Sequence, residues 1–222
     1  MDHSSSSLSE PKTKSNPALA KPTLNGIRPA QLLTLPPLLF TSRSHFTIEN
    51  TTITRSSTNV DSQRYLDNSS VLLKTPITQG ILSVTVTVLS RSKAIPHYET
   101  IFIGLLDSTA HVPKLDSVSL ESYTGLLFCN SSSTGHEDRF EFCHSELREG
   151  DCVRMEVDME SRPRTVQFFV NGKAGRSYVS GLPRSVRLGF TVFGPKTSFR
   201  IDRITRLRRP TPISRAMNEI KW

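Results

Sequence analysis

Asp158 and Glu160 stand two residues apart at the end of an alternating stretch, a spacing that places both on one face of a strand continuing through them. Paired carboxylates are the tools of glycoside hydrolysis, yet a retaining enzyme needs its pair about 5–5.5 Å apart across a cleft lined with aromatic rings. The chain has a single tryptophan, Trp222. The expected role of the acidic pair is therefore to satisfy backbone amides where a strand leaves its sheet. Cys129, His136, Cys143 and His144 form a second set with metal-binding or nucleophilic potential, but their spacings lack the close Cys-x-x-Cys pairs of structural zinc sites. No signature of a catalytic thiol surrounds any cysteine, and no glycine-rich loop is shaped to hold a phosphate. The third set is basic: Arg200, Arg203, Arg206, Arg208 and Arg209 could attract phosphates or acidic partners. Aromatic residues do not interleave with them, so bases would have no stacking platform and nucleic acid is not an expected partner. Neither an enzyme nor a metal or organic cofactor is expected from these residues.

What must position these groups is a chain of 222 residues with a formal net charge of +8, long enough for one sandwich domain with tails. Three cysteines, an odd number at irregular spacing, argue against a disulfide framework and for a reducing compartment. No apolar run reaches the ~18 residues that a membrane-spanning helix needs, and the first residues lack a basic segment followed by an apolar one. An intracellular protein, cytoplasmic or nuclear, and monomeric is expected. Residues 1–40, rich in Ser and Pro, should be a disordered tail. Within it Leu32, Leu33, Leu35, Leu38, Leu39 and Phe40, interrupted by Pro36 and Pro37, form either a docking segment or a strip that packs against the flank of the domain. The domain itself should occupy 45–205, with 206–222 a basic C-terminal tail.

Beyond Phe40 the pattern is of short β-rich runs separated by turn residues, as in sandwiches and barrels. Leu82, Val84, Val86 and Val88 alternate with Ser83, Thr85 and Thr87, predicting a strand with one face buried. The run 101–106 is apolar on both faces, which predicts a strand covered from both sides. Two more half-buried strands are predicted around Val153, Met155, Val157 and Met159 and around Val166, Phe168 and Val170. Asn171-Gly172 suits two successive positive φ angles and predicts a hairpin returning near 176–179. Strands over 184–193 and 198–204 complete an all-β fold, a two-sheet antiparallel sandwich. Its expected core contains Leu82, Val84, Val86, Ile103, Leu105, Val157, Phe168, Val170, Leu188 and Phe190.

The ordered set formed by Gly150-Asp151, the strand ending in Val157-Asp158-Met159-Glu160 and the strand ending in Asn171-Gly172 resembles the SPRY family, a concanavalin-like β-sandwich used in interaction proteins. Ile101-Phe102-Ile103-Gly104-Leu105 resembles a further strand of that family. The strand over 81–89 lacks the tryptophan many members carry, and no PRY segment precedes Phe46, so the resemblance is to a divergent, SPRY-only domain. It implies a non-catalytic module that binds a short peptide of a partner protein through loops at one end of the sandwich. Tyr123-Thr124-Gly125-Leu126 resembles one pocket-forming segment and Val192-Phe193-Gly194 another, with Phe193 in place of a tryptophan. Arg55, expected in a loop after Ile53, is the candidate charged contact. The implied peptide-binding set is thus Arg55, Tyr123, Leu126, Phe193 and Gly194. Packing in the core or rim is the competing reading for Tyr123, Leu126 and Phe193, and plain solvation that for Arg55. The alternative function is binding of nucleic acid or another anionic partner through the basic C-terminal segment, with contacts to phosphates rather than bases.

Overall fold

The computed structural model describes residues 46–49, 51–55, 70–90, 100–109, 117–130, 139–194 and 196–222. The expected disordered tail and its Leu/Pro-rich strip lie outside the described residues, as does His136. Among the described residues fourteen strands run in chain order: β1 (Phe46–Glu49), β2 (Thr52–Arg55), β3 (Ser70–Leu72), β4 (Ile81–Ser90), β5 (Ile101–Asp107), β6 (Ser117–Glu121), β7 (Leu126–Asn130), β8 (Arg139–Phe142), β9 (Cys152–Asp158), β10 (Thr165–Val170), β11 (Lys173–Ser180), β12 (Val186–Val192), β13 (Ser198–Leu207) and β14 (Asn218–Lys221). They form an eight-stranded sheet, β1-β2-β13-β4-β9-β10-β11-β14, and a six-stranded sheet, β3-β12-β5-β6-β7-β8. The fold is an all-β sandwich of two sheets, antiparallel in every pairing except β11 with β14.

Side-chain alternation decides which residues meet between the layers. Leu82, Val84 and Val86 pair across the ladder with Val157, Met155 and Val153, so the apolar sets of β4 and β9 fall on one face and stack inward. β13 keeps Ile201 and Ile204 on that face although they are three apart, because the register slips one residue between Ile201 and Arg203. From the other sheet Phe190 meets Phe199 with ring centroids 4.7 Å apart. All of the expected core residues are buried except Val170, which is partly buried against the cluster. The hairpin reads as predicted: Asn171 has φ 50° and Gly172 φ 78°, the paired positive angles that β-branched or bulky side chains resist.

Two expectations need correction. The segment 206–222 is not a free tail. β13 runs on to Leu207, and the chain then crosses the outer face of the large sheet. There the Thr211 amide and hydroxyl both donate to the buried Glu156 carboxylate, and Gln167 Nε2 donates to the Thr211 carbonyl at 2.9 Å. It ends as β14, parallel to β11, with Ile220 in the core. What overrode the composition is a pair of buried polar side chains on β9 and β10 that bond to Thr211, Glu156 sharing its carboxylate with Arg154, together with the apolar anchors Ile220 and Trp222. The second correction concerns β5, predicted to be covered on both sides. Ile101, Ile103 and Leu105 are buried by the opposing sheet, but Phe102 and Leu106 lie half-exposed on the outer face.

Candidate functional site

Five strands of the small sheet bring their ends together at one pole, beside the end of β2 and the starts of β1 and β13 in the large sheet. β5 starts there at Ile101, β6 ends at Glu121, β7 starts at Leu126, β8 ends at Phe142, β12 ends at Val192 and β2 ends at Arg55. The registers that fix this are Val192 with Ile101, Phe102 with Glu121, and Leu126 with Phe142.

Phe193 is the first residue after β12. Its amide donates to the Thr100 carbonyl at 2.8 Å, and its half-buried ring stands edge-on to Phe102, centroids 5.8 Å apart. Gly194 follows at φ +83°, a conformation that side chains resist, and turns the chain back toward the large sheet. Arg55 is not in a loop. It closes β2 and is only 8% exposed, and its guanidinium Nη1 donates to the Val192 carbonyl at 2.6 Å. The Arg55 amide donates to the Thr197 carbonyl and its own carbonyl accepts from the Lys196 amide, so both flanks of the turn through Phe193 and Gly194 are tied to β2. A buried guanidinium needs such acceptors, and a strand-end carbonyl supplies one.

Tyr123 sits in the tight turn between β6 and β7 rather than in an open loop, and Leu126 is the first residue of β7, facing outward beside Phe142. The turn is organised by a residue the sequence reading did not single out. Glu121, buried, accepts from the Tyr123 amide at 3.0 Å, the Thr124 amide at 3.0 Å, the Thr124 hydroxyl and the Thr100 hydroxyl. Ser122 Oγ accepts from the Ile101 amide at 2.8 Å, which ties the turn to β5. Gly125 has φ +71°, and a Cβ there would sit 2.2 Å from the His144 carbonyl oxygen, so glycine is needed both for the angle and for the approach. An acidic residue whose carboxylate caps amides two and three residues on is a recognisable turn signal, and Glu121-Ser122-Tyr123-Thr124-Gly125 carries it.

The other candidate chemistries are absorbed by structure. Asp158 Oδ1 accepts from the Glu160 and Ser161 amides at 2.8 and 3.0 Å, and Oδ2 accepts from Ser161 Oγ at 2.5 Å. Glu160 Oε1 accepts from the Gly80 amide at 2.5 Å. Both carboxylates are therefore committed to closing turns. The Cys143 thiol donates to the Ser177 carbonyl at 3.6 Å and His144 Nε2 donates to the Phe168 carbonyl at 3.3 Å. Burial pushes the thiol's pKa up and the imidazole's down. That is the opposite of what a thiolate–imidazolium pair requires.

The depressed His144 pKa has a consequence for stability. Between its folded pKa and the ordinary value of 6.5 the unfolded chain binds the extra proton. Stability contributed by the neutral ring is therefore present above that value and lost as the pH falls below it. Thermal melts from about pH 7.5 down to 5 should show a falling midpoint in the wild type and a shallower fall in His144→Gln. Parallel curves would assign the decline to other groups.

No family model matches the sequence, and neither does any curated protein. Solved structures do match. The SPRY domain of human HERC1 aligns over 79% of this chain and 99% of its own, at 16% identity and a TM-score of 0.52. The TRIM65 PSpry domain aligns over 77% and 89%, at 12% identity and the same TM-score of 0.52. The fold is thus that of a divergent SPRY-type sandwich.

Proposed function

We propose that this chain is a non-catalytic protein-interaction module that binds a short extended segment of a partner protein at the pole bearing Tyr123, Leu126, Phe193 and Gly194. The observation that carries this reading is the construction around Phe193. A half-exposed aromatic is held at a strand end by its own amide, by the ring of Phe102 and by the buried Arg55 on the preceding carbonyl. Rigid, amphipathic aromatic surface at a strand margin is what a peptide anchor uses, because little side-chain freedom is lost on binding. Within this site Arg55 positions Phe193 instead of meeting the ligand with its charge. A monomer acting inside the cell, in cytoplasm or nucleus, is part of the same proposal. Among the described residues no helix is long and apolar enough to cross a membrane.

Peptides selected from a displayed library against the wild-type chain provide the test. Phe193→Ala should weaken their binding by about thirtyfold, corresponding to roughly 2 kcal/mol, while circular dichroism and the melting transition stay close to wild type. Unchanged affinity in a folded variant would dispose of the site. The exposed arginines of β13 and the segment after it, Arg200, Arg203, Arg206, Arg208 and Arg209, favour a second reading as an anion-binding stripe. Binding through that stripe would fade as salt is raised from about 50 to 200 mM, whereas anchoring at Phe193 would change little.

A further inference from the structure

The outer face of the small sheet is more apolar than a solvent-facing sheet surface requires. Phe193 packs edge-on to Phe102 of β5, Phe102 lies 5.7 Å from Phe128 of β7, and Phe128 lies 6.1 Å from Phe140 of β8. Phe140 and Phe142 are 63% and 67% exposed, the large hydrophobic side chains most open to water among the described residues. Next to this row, Gly189 of β12 leaves room that the Leu106 and Leu72 side chains fill, since a Cβ there would meet Leu106 Cδ1 at 1.9 Å. β5 thus carries the two-faced apolar composition of a covered strand, and contiguous apolar surface of this kind marks a contact site.

We infer that this face seats the chain's own segment 32–40. The chain enters the sandwich at Phe46, which pairs with Arg55, and Arg55 donates to the carbonyl beside Phe193. The tether between the segment and the described structure therefore ends at the same pole as the aromatic row. The five residues 41–45 can span at most about 17 Å at ~3.4 Å each. Segment 32–40 is uncharged and contains five leucines and a phenylalanine, and Pro36-Pro37 prevents a regular helix and favours an extended form. Extended at ~3.1 Å per residue, its nine residues cover about 28 Å, whereas the row from β12 to β8 crosses four inter-strand steps of ~4.8 Å, about 19 Å. Proline-containing extended segments on aromatic-lined surfaces are a recurrent mode of recognition. A short tether raises the local concentration of the segment to the order of millimolar, enough to hold a contact that would be weak between separate molecules. The inference shares Phe193 with the proposed partner site, so a partner peptide would displace the end of the segment nearest Phe40. It otherwise stands on β5, β7 and β8.

The test uses the full chain and a fluorescent peptide of residues 30–42. The peptide should bind Leu38→Asp/Leu39→Asp at least about tenfold more tightly than the wild type, whose tethered copy competes at millimolar effective concentration. Adding Phe140→Ser/Phe142→Ser to that variant should abolish the binding. Both phenylalanines are exposed, so a melting temperature near that of the parent will verify folding. Equal binding to wild type and Leu38→Asp/Leu39→Asp, no binding to either, or binding indifferent to the Phe140 and Phe142 changes would overturn the inference. So would a wild-type dimer that sediments as a monomer once Leu38 and Leu39 are replaced, since the occupant would then come from a second copy. The library-selected peptides and Phe193→Ala report on the partner site independently, whatever this titration yields.

Discussion

Gly104→Ala is expected to destabilise the domain by about 3 kcal/mol, the upper range for forcing added volume into a close-packed position. Gly104 sits in mid-β5, opposite Gly189 on one side and Ser119 on the other. A Cβ at this position would lie 2.0 Å from the Val118 carbonyl oxygen and 2.7 Å from Ser119 Cα. Both obstacles are backbone, so relief requires β5 and β6 to separate rather than a side chain to turn. The same two strands support Phe102 and Glu121, so the pole loses its geometry along with the sheet. Equilibrium denaturation should show a lower midpoint with little change in the slope. A loss under about 1 kcal/mol would mean that the strands part more easily than this packing implies.

Phe190→Ala should cost about 3–5 kcal/mol, comparable to the whole stability of a marginal domain. The ring is fully buried on β12 and packs against Phe199 of β13, so it joins the two sheets. Its removal leaves a cavity bordered by strands already fixed on both sides, which limits collapse. The contrast with Phe193, three residues along, is informative. Phe193→Ala should alter binding and spare the fold, whereas Phe190→Ala should lower the melting temperature by roughly 6–20 °C, or prevent folding outright. A small thermal effect for Phe190→Ala would show that the layers are held mainly elsewhere.

The strands most legible in the sequence are those with one face buried and the other wet. β4 and β9 declare themselves because Leu82, Val84 and Val86 alternate with hydroxyl residues and Val153, Met155 and Val157 with charged ones. The hairpin at Asn171-Gly172 was equally legible because its backbone angles admit few residues. β14 left no such trace. Asn218–Lys221 has a single apolar side chain, and its place beside β11 depends on Glu156 and Gln167 holding Thr211 across the sheet. Arg55 was misplaced for a similar reason. An arginine two residues after Ile53 reads as a loop residue open to a ligand or to solvent, and the carbonyl that justifies its burial is 137 residues away. The two segments of the proposed binding pole stand out only through their resemblance to a family, and Glu121, which shapes the turn in one of them, leaves no local signal because its partners make sense only once the turn is closed. Local periodicity reports burial. It does not report which distant polar group makes that burial affordable.

β14 also governs how the large sheet ends. Had the chain stopped at the crossing over Glu156, β11 would present a row of unpaired amides and carbonyls from Ser177 to Ser180, ready to template a strand from another molecule. The parallel pairing of Asn218–Lys221 occupies that row, and the Trp222 amide donates to the Ser180 carbonyl at 2.9 Å, extending the cover by one residue. Cover of this edge therefore rests on a short strand held to the body of the protein by buried Ile220, by Trp222 packed against the core, by Ser180 Oγ donating to Glu219 and by the polar crossing at Thr211. Conditions that peel this strand away, whether heat or proteolysis within 208–217, would expose an adhesive edge while leaving the rest of the sandwich folded.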